Sequence, residues 1–397
     1  MQILDLKVEG FRSLKKVSWE PGKLNVVIGP NGSGKSNILR LLELITTSAQ
    51  GRLGKFIQNS GGMDPLVWDG SAEAISLSIK TSPLEKDRKR ERDSLTYELL
   101  LSRLGQTSAY RIEHELLANY YKVVTKQSGE PFKLLLRDGQ YAKIFDDERS
   151  LIAPDEGAFS EEETLLSMAS SPFIHNRHIP AFQKDLASWC IYHDIHVNKD
   201  AAIRQSAVAR LEKRVDLDGQ NLIPVLHTLY TTDRDFKQDV NLAMKAAFGD
   251  DFEELIFPPA ADQRIQLRVR WKSLKREQSA AELSDGTLRF LFLLTVLASP
   301  SPASVVAIDE PETGLHPSML PIVAEYAVDA AERMQVIFTT HSPQFLDAFR
   351  DKKPTTTVTR WTGGETVLKT IKDEELDYWL KEYTLGSLFR SGELENM

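Results

Sequence analysis

GPNGSGKS, residues 29–36, decides the fold of this 397-residue chain. The run before it, KLNVVIG at 23–29, is short, apolar and β-rich, and SNILRLLELI after it carries apolar residues at helical spacing. Strand, glycine turn and helix is the setting in which such a loop holds phosphate. The glycines let backbone N–H groups wrap the oxygens, and the helix N-terminus adds the positive end of its dipole. Lys35 is expected to reach the β- and γ-phosphates, and the Ser36 hydroxyl to hold Mg²⁺. The alternative, a glycine-rich turn with a chance lysine, would not account for both flanks.

Three further segments follow only after roughly 250 residues. SVVAIDEPE is a buried-strand run ending in acids, the pattern of a parallel strand delivering carboxylates to the edge of a sheet. Asp309 is expected to hold Mg²⁺ through water, and Glu310 to orient and deprotonate the attacking water. LSDGT at 283–287 reads as a loop and N-cap before an apolar helix, so Ser284 and Gly286 can form an anion site. Any capped helix looks similar, and it is the position just before the acid-ended strand that favours the functional reading. His341 follows the β-rich run QVIFTT and is expected at the tip of a neighbouring strand, bonded to a γ-phosphate. A purely structural histidine is the alternative.

Together these segments resemble the ATP-binding-cassette ATPases, in particular their soluble RecF-, SMC- and OLD-like branch. LKVEGFRSLKKVSWEPGKLNVVIGPNGSGKSN looks like the opening of that branch, and EPETGLHP and TTHSPQFL match its variants. The resemblance implies an α/β P-loop NTPase of ATP-binding-cassette type with ATP and Mg²⁺ as cofactors. It assigns nucleotide binding to Arg12, Gly29, Asn31, Gly32, Ser33, Gly34, Lys35, Ser36 and Asn37, with Ser284 and Gly286 as the signature. Ser36 and Asp309 are the expected metal residues, with Gln58 the candidate for the Mg²⁺-sensing glutamine; Glu310 and His341 are the catalytic pair. In such proteins the signature of one subunit caps the ATP of another, which implies a head-to-head homodimer. Two departures bear on this. Asp285 puts an acid in the signature, and His316 stands where many cassettes carry a dimer-contact aspartate.

Net charge is −8, which argues against a chain coated in positive field without excluding a local patch. The single Cys190 excludes an intrachain disulfide framework and fits a reducing compartment. No signal-type stretch opens the chain, and no window reaches the roughly 18 apolar residues of a membrane span. A cytoplasmic protein with no membrane association is expected.

Residues 1–95 are read as the first part of the ATPase core, 96–255 as a mainly helical insertion lobe, and 256–397 as the second part of the core. YELLLSRL and FKLLLRDG in the middle block are possible strands before helices, and ARLEKRVDLDGQNLIPVLHTLYTTD reads as helix, turn at Asp218 and Gly219, and helix. No sustained heptads occur, so a long coiled-coil arm is not expected. The charge run LEKDRKRERDS at 84–94 is read as a solvated turn. QRIQLRVRWKSLKRE at 263–277 alternates like a strand, with Arg264, Arg268, Arg270 and Lys272 on one face. That face suits a phosphate backbone or an edge kept from aggregating. The pairs His175/His178 and His193/His196 are read as structural, since no further ligands adjoin them. After His341 a hairpin around Gly363 and Gly364 and two helices are expected, with no room for the acid-rich metal domain of OLD-like nucleases.

The expected function is that of a Mg-ATP-dependent ATPase that dimerises to regulate a separately encoded effector or to act on nucleic acid. DNA repair or anti-phage defence is the setting that the resemblance suggests. A nucleotide-gated scaffold with negligible turnover is the alternative, kept open by Asp285 and His316.

Overall fold

The computed structural model describes residues 1–84, 94–105, 109–120, 131–145, 151–152, 159–168, 178–350 and 352–396. Most of the charge run at 84–94 lies outside the described residues, and so does His175. In chain order the first elements are β1 (Ile3–Phe11), β2 (Leu14–Trp19), β3 (Leu24–Ile28), α1 (Lys35–Ala49), α2 (Leu53–Asn59), β4 (Ala74–Thr81), β5 (Ser94–Arg103), β6 (Tyr110–Tyr120), β7 (Phe132–Asp138), β8 (Tyr141–Phe145) and β9 (Leu151–Ile152). Next come α3 (Leu165–Met168), α4 (His178–Ala187), β10 (Cys190–Tyr192), β11 (Ala207–Val208), α5 (Leu222–Thr232), α6 (Arg234–Phe248), β12 (Phe252–Ile256), β13 (Pro259–Ala260), β14 (Arg264–Ile265), β15 (Arg268–Trp271) and β16 (Gln278–Ser279). The last are α7 (Asp285–Leu297), β17 (Val305–Asp309), α8 (Leu320–Ala330), β18 (Gln335–Thr340), α9 (Pro343–Asp347), β19 (Thr355–Thr362), β20 (Glu365–Thr370), α10 (Asp373–Trp379), α11 (Leu385–Arg390) and α12 (Glu393–Asn396).

Two compact units divide the chain, and the division runs through β3. The first comprises residues 1–22, 27–189 and 355–371. Its main sheet is antiparallel, in the order β2-β1-β4-β5-β6-β7-β8-β9. In β4 every second residue is buried, as the alternation of AISLSIK requires. The helical reading of the stretch after residue 95 is corrected here. YELLLSRL and FKLLLRDG do form strands, but β6, β8 and β9 accompany them, and among the described residues after 95 the first helix is α3. Leu95, Tyr97, Leu99 and Leu101 are buried at two-residue spacing, so the period is that of a strand. A leucine run fits a buried helix as well as a buried strand, and only pairing to neighbours decides.

Glu115 of β6 is wholly buried and joins this sheet to α3. It accepts from the backbone N–H groups of Leu165 (2.7 Å) and Leu166 (2.9 Å) and from the Tyr97 hydroxyl (2.9 Å). Burial outweighs these bonds and raises its pKa to about 7.

The second unit comprises residues 23–26, 190–354 and 372–397. In it β10, β17 and β18 run parallel, with Tyr192 beside Ile308 and Asp309 beside Thr339. The Val336 N–H donates to Lys23 O (2.8 Å), which brings the start of β3 alongside β18. β17 and β18 are almost entirely buried, as expected of parallel strands covered on both faces. α7 is apolar nearly all round and lies in the core.

Two further expectations are corrected in this unit. Residues 209–219 form no helix, and the helices are α5 and α6. Here the backbone is tied down by side chains instead: Arg214 donates to Ser301 O and Pro302 O, and Asn221 to Arg214 O. The alternation at 263–277 is also broken. Arg264 lies in β14, which pairs with β11 and β13, whereas Arg268 and Arg270 lie in β15, which pairs with β12 and β16. Their side chains face acids: Arg268 meets Glu277, Arg270 meets Glu254 and Glu277, and Arg276 meets Glu282. The hairpin expected around Gly363 and Gly364 is present in the first unit as β19–β20, with both glycines at positive φ.

Candidate functional site

In the first unit the phosphate loop leaves β3 and enters α1 at Lys35. Gly32 and Gly34 have φ of 80° and 99°, conformations that favour glycine and aim successive N–H groups to one side. The buried Lys35 ammonium donates to Gly29 O (2.8 Å) and Pro30 O (3.1 Å), so its charge sits inside its own loop. Hydroxyls hold the loop from outside. Thr359 Oγ1 lies 2.6 Å from Ser33 Oγ and donates to Ile28 O (3.0 Å), and Thr366 Oγ1 donates to Ser33 O (3.0 Å). Asn37 donates to Ser13 Oγ (2.6 Å). Asn31, Gly32 and Ser36 face solvent.

Arg12 is a non-glycine residue at φ 48°, fixed by its N–H bond to Leu66 O (2.7 Å). Burial, and next the charge of Arg40, lowers its pKa. A nearby anion would relieve both, which suits the role the resemblance implies. Gln58 stands exposed on the short α2.

In the second unit Asp309 ends β17, and Thr339 of β18 hydrogen-bonds its carboxylate. Glu310 follows at φ 45°, held by its N–H bond to Thr339 O (3.0 Å). Glu310 Oε1 lies 3.0 Å from His341 Nδ1, so the expected catalytic pair is in direct contact. Thr340 donates to Glu312 Oε1 (2.5 Å), while Glu312 Oε2 is buried with no bonded partner. Burial raises the pKa of Glu312.

Ser284 is the N-cap of α7, as expected, accepting from the Thr287 N–H (3.1 Å). Asp285 does not stand as a bare charge at this terminus. Arg204, itself buried, forms an ion pair with it and also donates to Leu283 O (2.6 Å), Ala280 O (3.2 Å) and Val197 O (2.7 Å). His316 caps the turn at Pro317–Met319 through Ser318.

Sequence reasoning missed Arg204, Thr359 and Thr366, whose partners lie far away along the chain. It also read His193 as structural, whereas His193 Nδ1 lies 4.0 Å from Asp309 Oδ2. Its companion His196 is exposed and faces Asp194.

Among the described residues no group of three or more His, Cys, Asp or Glu side chains is placed to cage a metal. A half-buried aspartate beside a hydroxyl suits Mg²⁺, which takes few protein ligands and keeps waters and phosphate oxygens. No described helix is long and apolar enough to cross a membrane.

Comparison with known proteins defines the class. Over 95% of its length the chain superposes on an SMC head bound to the C-winged helix domain of ScpA, with a TM-score of 0.57, 16% identity and all of that chain covered. The Smc head of Pyrococcus furiosus, with an extended coiled coil and bound to the C-terminal domain of ScpA, gives 0.52 at 14% identity over 96% of this chain and 99% of that one. Residues 1–129 match the family model described as "AAA ATPase domain". The chain is an α/β P-loop ATPase with a fold resembling the SMC head, and such a loop implies ATP binding.

Within that class, residues 194–347 match the family model described as "AAA domain, putative AbiEii toxin, Type IV TA system". The chain is also 22% identical over 355 residues to the OLD nuclease of Thermus scotoductus, covering 87% of this chain and 60% of the nuclease. These likenesses agree with the resemblance read from the motifs, and the chain spans about three-fifths of the nuclease it matches.

Proposed function

We propose that this chain is a Mg-ATP-dependent ATPase that pairs head to head around ATP and couples closure of the pair to a separate effector. The contact between Glu310 and His341 carries the reading. With Nδ1 donating to Glu310, Nε2 is left to donate to a γ-phosphate oxygen when the imidazole is protonated, and the second carboxylate oxygen is left to take a proton from the attacking water. The fixed backbone at Glu310 keeps that carboxylate at the strand tip. Lys35 exchanges its loop carbonyls for β- and γ-phosphate oxygens, and Arg12, the loop N–H groups, Asn31, Ser33 and Asn37 complete the nucleotide contacts. Ser36 and Asp309 would hold Mg²⁺, which would offset triphosphate charge.

In the paired state Ser284 and the N–H groups of α7 of one copy face the γ-phosphate of the other, where dipoles aimed at developing charge stabilise most once water is excluded. The Arg204 ion pair to Asp285 supports this, because it offsets the negative charge that would oppose a phosphate. A cytoplasmic setting in DNA repair or phage defence fits the likeness to an OLD nuclease and to the AbiEii toxin family model. A nucleic-acid target draws less support, since Arg268, Arg270 and Arg276 already face acids.

Phosphate release from ATP by the unaltered chain and by Glu310→Gln tests the reading. Removing a general base costs about 10²–10⁴ in rate, so release by the variant is expected to fall by that factor. Absence of release from both proteins would leave the ATP-gated scaffold as the function.

A further inference from the structure

His193 ends β10 next to the strand that carries Asp309: Tyr192 lies in register with Ile308, so the following residues emerge side by side at one sheet edge. Both neighbours of His193 are anchored. The Tyr192 hydroxyl donates to Val215 O (2.9 Å), and Asp194 pairs with Arg289 of α7 at 3.5 Å. The chain on either side of His193 is thus held, and its Nδ1 lies 4.0 Å from Asp309 Oδ2.

That separation is too long for a direct hydrogen bond and suits one water bridging the two atoms. A cavity of about 20 Å³ adjoins the pair, lined by His193, Asp309, Glu310 and Arg289 among others. One water needs roughly 10–15 Å³ of such space and two or more polar partners, and both conditions are met.

The geometry points to His193 as a positioning residue of the Mg²⁺ site. Together with Asp309 it holds a water of the ion's coordination shell, in the role for which the sequence offers Gln58. The inference rests on the Mg-ATP reading above. A water bound to the ion would donate one O–H hydrogen bond to Asp309 Oδ2 and the other to His193 Nδ1, which would require the imidazole's own proton on Nε2. Mg²⁺ keeps several waters and takes few protein ligands, so outer-shell acceptors of this kind set how tightly it is held.

Mn²⁺ titration of the full chain loaded with a non-hydrolysable ATP analogue, read by the electron paramagnetic resonance of free Mn²⁺, tests this. His193→Ala is expected to weaken Mn²⁺ binding by about 10- to 100-fold while analogue affinity in chelator stays within about twofold of the unaltered chain. His193→Gln, which keeps an acceptor, is expected to recover most of the loss, and Gln58→Ala to bind Mn²⁺ as the unaltered chain does. The assignment is overturned if His193→Ala holds Mn²⁺ normally, if its loss extends equally to analogue binding in chelator, or if Gln58→Ala carries the loss. Failure of the unaltered chain to bind the analogue at all would remove the ATP reading itself, and with it this assignment.

Discussion

The carbonyl oxygen of Gly314 lies 2.6 Å from the point where a Cβ on Gly286 would stand. The signature turn and the loop after the acid-ended strand therefore touch backbone to backbone in one unit, and only a residue without a side chain permits it. Gly286→Ala must push the two apart, because the obstructing atom belongs to the main chain. Overpacking of this kind costs about 1–3 kcal/mol. Thermal unfolding should show that loss, and size-exclusion chromatography should show ATP-driven pairing reduced while nucleotide affinity is kept.

Arg204 and Asp285 form an ion pair whose partners are unequally placed, the arginine side chain 6% exposed and the aspartate 65%. Loss of the exposed partner costs little, under about 1 kcal/mol for Asp285→Asn. Loss of the buried partner takes the donor from the carbonyls of Val197 and Leu283, each costing about 1–3 kcal/mol when left unsatisfied, while Ala280 O keeps the Leu283 N–H. Denaturant unfolding of Arg204→Met should therefore show several-fold the loss of Asp285→Asn. Equal losses would contradict the placement of Arg204 as the hub of the signature turn.

Glu115 makes the stability of the first unit depend on pH. Its folded pKa, raised to about 7, lies above its ordinary value of 4.5, so the folded state binds the proton more tightly. The contribution is whole below about pH 4.5 and is lost as pH rises through about 7. Glu115→Gln keeps one acceptor oxygen, enough for one of the Leu165 and Leu166 N–H groups, and has nothing to titrate. Unfolding midpoints of the variant should fall less than those of the unaltered chain across pH 5–8, and parallel slopes would show that Glu115 is not the titrating group.

What the sequence disclosed was local. The loop at 29–36, the acids ending β17, the cap of α7 and the hairpin at Gly363 and Gly364 each depend on residues within one or two elements, and each stands where its pattern placed it. The partner of Arg204 and the nearness of His193 to Asp309 were not legible, because they join residues 81 and 116 positions apart, as the separations 285 − 204 and 309 − 193 give. Thr359 and Thr366 are hidden for the same reason, acting on a loop more than 300 positions earlier. Between 94 and 152 the two leucine-rich runs were legible as strands, but β6, β8 and β9 were not, because their place is set by antiparallel pairing to neighbours in the sheet.

Light scattering of Glu310→Gln with Mg-ATP tests the central claim most directly. The hydrolysis-dead chain is expected to shift from the mass of one copy to that of two when nucleotide is added, and Ser284→Arg in the same background is expected to bind ATP and stay single. A loaded Glu310→Gln protein that keeps the mass of one copy, or a Ser284→Arg protein that still pairs, would contradict the account.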